Sequence, residues 1–163
     1  MTFLDLILAL LVFGFVLAGF WFGFIHSLGA LVGNVAGVLV AGHYAAAGTF
    51  GSSNLARVLT FMIVMILVNR IIGIVFWVIE KIFKIASVIP FLKTFNALLG
   101  GALGFLEGVI VIGGSLYIAA RYPLGEAFAS AMANSQIGLW LLKAFGLFSP
   151  LLPEIIRNLK SIV

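Results

Sequence analysis

Arg70 and Glu107 are charged residues embedded in long apolar stretches, which makes them the first candidates for chemistry. No other Asp, Glu, Lys or Arg lies between Arg57 and Glu80, or between Lys93 and Arg121. A cation and a carboxylate in such surroundings can neutralise each other, or line a seam for a proton, an ion or an amphiphile. Asn34 and Asn69 are polar residues on the same apolar stretches and offer hydrogen bonds to such a seam. His26 and His43 are the remaining metal-ligand types. On one helix they stand roughly 25 Å apart and cannot share a metal within a chain. Asp5 suits the N-terminus of a helix, where the dipole favours a carboxylate. The serines form no nucleophile elbow, no Ser–His–Asp set and no phosphate loop. There is no cysteine, so thiol catalysis and disulfides are excluded. These residues predict no enzyme, no cofactor and no metal site.

The elements that hold these residues follow from composition. Of 163 residues, 64% are hydrophobic and 9% charged, with 19 glycines in addition. A soluble domain carries about 25% charged residues and could not hide this much apolar surface from water. The chain is read as all-α, an integral membrane four-helix bundle with amphipathic interfacial helices. A span needs about 20 residues. No Asp, Glu, Lys or Arg lies between Asp5 and Arg57, which leaves room for two spans and a turn. The expected spans cover residues 4–22, 27–47, 58–79 and 97–120, with the first turn at Gly23 to Ser27. An interfacial helix is expected over residues 80–95, where Lys81, Lys84 and Lys93 alternate with apolar residues and Pro90 forces a break. Residues 1–120 then form the four-span domain, and residues 121–163 form C-terminal amphipathic helices in the interface. A fifth span over residues 137–152 would be short and would contain Lys143 and Pro150.

Depth brings the two charges together. Arg70 lies ten residues before Glu80, and Glu107 lies ten after Ala97. At 1.5 Å per residue both sit roughly 15 Å from the same turn. With spans three and four as antiparallel neighbours, an Arg70–Glu107 ion pair facing the bundle interior is expected. It either fixes helix register or serves the polar seam; the alternative is that Arg70 snorkels and the two never meet.

Two runs share the pattern G-x-x-x-G-x-x-x-G: Gly29, Gly33 and Gly37, then Gly100, Gly104 and Gly108. Spacing of four stacks the glycines on one helix face, a glycine zipper that lets another backbone come close. The runs are offset by 71 residues, Gly29 to Gly100 and Gly37 to Gly108. This suggests two hairpins related by a pseudo-two-fold along the membrane normal. The ladders join spans two and four, or join separate chains. Lipid, further copies of the chain and other membrane proteins are the expected partners. Nucleic acid is not, because the net charge of +4 is small and scattered. Three lysines beside the second turn, against Arg57 and Arg121 on the other side, place the termini outside the cytoplasm.

Several of these residues also carry a family likeness. Asp5 in a short N-terminal lead, Phe22-Gly23-Phe24 at the first turn, and the run from Phe95-Asn96-Ala97 through Gly100, Gly104 and Glu107-Gly108 resemble the colicin V production protein (CvpA) family. The resemblance reaches to about Trp140. Family members usually carry a basic residue where Glu107 stands and an arginine where Phe22 stands. The resemblance implies a bacterial inner-membrane protein of about four spans with an extracytoplasmic C-terminus. It implies an association with colicin V production or export and with tolerance of envelope stress, and no defined reaction. The competing expectation is a small oligomeric transporter or channel whose path runs past Arg70 and Glu107.

Overall fold

The computed structural model describes residues 2–84, 90–122, 124–148 and 150. Among them the chain is helical throughout: α1 (Phe3–Phe22), α2 (Phe24–Ala47), α3 (Asn54–Lys84), α4 (Pro90–Arg121), α5 (Glu126–Ala133) and α6 (Gln136–Gly146). Four segments are long and apolar enough to cross a membrane: Phe3–Phe22, Phe24–Ala47, Asn54–Ile79 and Lys93–Arg121. A helix is the form such segments must take, because lipid offers the backbone no hydrogen-bond partners. The expected spans are therefore present, with ends moved by a few residues.

The first turn is tighter than expected. A single residue, Gly23, separates α1 from α2, and His26 and Ser27 already lie inside α2. Gly23 has φ 85° and ψ −179°, a conformation open essentially to glycine alone. Its N–H donates to the Gly19 carbonyl at 2.8 Å, and the Phe24 N–H donates to Asn96 Oδ1 of α4 at 3.0 Å. The other end of α2 is closed by Arg57. Its guanidinium donates to the carbonyls of Ala45 at 3.1 Å and Ala46 at 2.6 Å, which the helix itself leaves unpaired.

Helix pairing does not follow chain order. α3 lies along α2, α2 along α4, and α4 along α1, while the sequential pairs α1–α2 and α3–α4 touch only marginally. A two-fold relating α1–α2 to α3–α4 requires this pattern: it maps α2–α3 onto α4–α1 and keeps α2–α4 in place. The main core joins Val38 and Ala41 of α2, Phe61 and Met65 of α3, Ile110 and Ile118 of α4, and Phe145 of α6. A second core joins Leu8 of α1, Val109 and Ile112 of α4, and Leu141 of α6.

α3 is the most outward helix. Ile63, Ile66, Leu67, Ile71 and Ile74 are all more than half exposed. In water this surface would drive aggregation; against lipid it is what a span presents. The expected interfacial helix over residues 80–95 does not stand alone. α3 runs on through Lys84 and α4 starts at Pro90, with residues 85–89 between them outside the described residues. In the tail, α6 is 11 residues long, too short to span, so no fifth span forms within residues 137–148. Its apolar side is covered by α4 and α1 rather than laid open to an interface. Residues 151–163 of the predicted tail lie outside the described residues.

Candidate functional site

The structure gathers a polar cluster from three helices at mid-span. Gly33 has no side chain, so α3 closes on α2 there, and a Cβ at Gly33 would collide with the Asn69 side chain. Asn69 Nδ2 donates to Asn34 Oδ1 at 2.8 Å. Asn34 is only 1% exposed. From α4, Glu107 presents its half-buried carboxyl toward the Asn34 amide. No group stands within formal hydrogen-bond geometry of Asn34 Nδ2, the face of the amide turned away from Asn69. Glu107 occupies the midpoint of its span, 14 residues from both Lys93 and Arg121. That places it roughly 21 Å along the helix from either end. The ends of α2 and α3 are similarly distant from Asn34 and Asn69.

Arg70 is not part of this cluster. It lies on the exposed side of α3, among Leu67, Ile71 and Ile74, and makes no ion pair with Glu107 among the described residues. The matching depth holds; the expected neighbourhood does not. α2 lies between α3 and α4, and one residue along a helix turns the side chain by about 100°. Asn69 therefore takes the inward position, and Arg70 faces out.

The glycine ladders also meet other partners than expected. They do not join α2 to α4. Gly29, Gly33 and Gly37 receive Phe76, Asn69 and Met65 of α3; Gly100, Gly104 and Gly108 receive Gly19 and Phe15 of α1. Cβ atoms at Gly100 and Gly104 would collide with the carbonyl oxygens of Gly19 and Phe15. Each ladder thus lies against the first helix of the opposite hairpin. A further pair, Gly113 and Gly114, seats α6: a Cβ on either would come within 2.9 Å of Leu141 or Phe145.

A second polar centre was not anticipated. Asp5 is 1% exposed, and its carboxylate accepts from Thr2 N at 2.7 Å, Ser135 Oγ at 2.6 Å and Ile137 N at 2.9 Å. Thr2 Oγ1 accepts from Asp5 N at 3.2 Å, closing a capping box. Ser135 in turn caps α6, accepting from Gly138 N at 2.9 Å. One carboxylate therefore faces the N-termini of two helices, where both dipoles favour it. Thr2 three residues before Asp5 is a legible capping signal, and Ser135 before an apolar helix is another. Nothing in their spacing announces that they meet.

His26 and His43 remain at opposite ends of α2, with the His26 ring 4.5 Å from Phe22 and the His43 ring 6.0 Å from Tyr44. The chemistry within reach of the central cluster is hydrogen bonding and proton exchange at Glu107, supported by two amides.

No curated protein and no solved structure matches the chain. The family described as Colicin V production protein matches residues 4–145, most of the chain, from the first span into α6. With four apolar spans, the glycine-faced α4 and the Asn96 bond to the first turn all inside that range, the chain belongs to the colicin V production protein family.

Proposed function

We propose that this protein is an accessory or scaffold component of the bacterial inner membrane. It supports colicin V production or export, and envelope stress tolerance, by holding other membrane proteins or further copies of itself. The family match over residues 4–145 carries this reading. The long apolar side of α3 supports it, because that helix is the least covered by its own chain. Partners in lipid are held by close packing and a few polar contacts, and α3 offers both through its isoleucines and Arg70. The termini lie outside the cytoplasm, and the work is done by association without covalent chemistry. Crosslinking in native membranes followed by purification at native abundance tests this. A partner or a second copy should be retained through α3; consistent recovery of the lone chain overturns the reading.

A second reading, a small oligomeric transporter or channel, draws on the mid-span cluster of Glu107, Asn34 and Asn69. Its path would run past Glu107 without Arg70. Ion flux through liposomes holding the protein should then collapse on Glu107→Gln. Unchanged flux, or no flux from the parent protein, removes it.

A further inference from the structure

We propose that Glu107 is a proton-binding site inside the membrane, with Asn34 and Asn69 as its positioning residues. The inference needs neither a toxin partner nor net transport, so it stands apart from both readings above.

The first argument is the carboxyl's isolation. An unpaired charge at the centre of a span costs about 2.5–3.5 kcal/mol even on the lenient insertion scale. The cost is relieved by an opposite charge or by a proton. Among the described residues no cation takes the first role. Arg70, on α3, faces outward. Arg57 is held by the carbonyls at the end of α2. His26 and His43 stand at the two ends of α2, and Arg121 and Lys93 at the two ends of the α4 span. On α6, Lys143 is exposed; on α1, Asp5 is closed in by Ser135 and Ile137. The proton is what remains.

The second argument is independent of charge. The Asn34 amide is buried, and its orientation is set by the bond from Asn69 Nδ2 to Oδ1. Its own Nδ2 is therefore turned toward Glu107 with no partner in formal geometry. A buried donor left unmade costs about 1–3 kcal/mol, so its presence calls for an acceptor. The Glu107 carboxyl supplies one in either state. Ionised, an oxygen bearing the negative charge accepts from Nδ2 after a small approach. Protonated, the carbonyl oxygen accepts and the hydroxyl carries the proton. Binding adds one proton to one oxygen and takes the group from −1 to 0, with no other bond changed.

Dicyclohexylcarbodiimide tests the proposal, since this apolar reagent adds to protonated carboxyls in apolar surroundings. Purified protein in liposomes is treated across a pH series and the adducts are located by peptide mass spectrometry. Glu107 should be modified near neutral pH, with modification fading as the pH rises. Glu126, exposed at the start of α5, is the internal control and should stay unmodified. Asn34→Leu removes the donor that favours the ionised form, so modification should persist to higher pH, by on the order of one pH unit. Glu107 left unmodified at every pH, or modified no more than Glu126, overturns the proton site. An Asn34→Leu profile identical to the parent's overturns the positioning role. The parent protein alone decides the first point, so a variant that fails to fold does not blunt the test. Modification without liposome flux would remove the transporter reading and leave the site standing.

Discussion

The Ser135 hydroxyl donates to the Asp5 carboxylate at 2.6 Å, joining the first turn of α1 to the cap of α6 across 130 positions of sequence. Hydrogen bonds to a charged group contribute about 1.5–3 kcal/mol. Asp5→Ala should lower thermal stability in detergent by about that amount and open the segment between α4 and α5 to protease. Ser135→Ala, which loses one bond and one cap, should cost less, about 0.5–2 kcal/mol. Equal melting temperatures for all three proteins would show that the tail does not depend on this contact.

Gly104 and Gly73 should respond in opposite directions to the same methyl group. A Cβ at Gly104 would collide with the Phe15 carbonyl, whereas one at Gly73 meets nothing within 4 Å. Gly104→Ala should destabilise by about 1–3 kcal/mol through overpacking, and Gly104→Leu by more. Gly73→Ala should stabilise by up to about 1 kcal/mol, because alanine is the better helix former. Thermal unfolding of the two variants side by side decides; shifts of the same sign would mean that α1 and α4 are not in contact at this ladder.

Removing Arg70 should do little to the isolated protein, and removing its neighbour should matter. Asn69→Leu and Asn34→Leu each delete the inter-helix bond of 2.8 Å. Such bonds are worth about 0.6–1.7 kcal/mol between membrane helices. Arg70→Leu loses no described polar contact within the chain, so its melting temperature should match the parent's. A large loss for Arg70→Leu would restore the ion pair with Glu107.

Gly23→Ala should be among the most damaging single changes. The backbone there is open essentially to glycine, and strain of this kind costs about 1–3 kcal/mol. The new methyl group would also strike the Asn96 side chain. Asn96→Ala alone loses only the bond to Phe24 N–H, about 0.5–1.5 kcal/mol. Because Asn96→Ala also clears the collision, the double variant should cost less than the two singles added. Strict additivity in a denaturation series would separate Gly23 from Asn96.

The spans were legible because hydropathy and length are properties of a segment by itself. Depth was legible for the same reason: counting residues from a turn places Arg70 and Glu107 at one level. Azimuth was not, since whether Arg70 or Asn69 faces inward depends on which helix lies beside α3. Chain order suggested α4, and the fold supplies α2. The ladders announced close approach in the same limited way. Four-residue spacing says that a backbone will come near Gly33 or Gly104, and it does not say whose. Asp5 shows the far limit. Its capping box with Thr2 is local and readable, while its bonds to Ser135 and Ile137 exist only once six helices are in place.

Because each glycine-faced helix finds its mate in the opposite half, neither half is complete by itself. A chain that has inserted only α1 and α2 carries a bare seam on α2 that stays open to lipid until α3 arrives. The seam on α4 must then reach back to α1, the oldest helix in the bilayer. Assembly is thereby held open until translation is nearly finished. Two fragments divided in the loop between α3 and α4 would each offer what the other lacks, and should find one another when made together in a single cell.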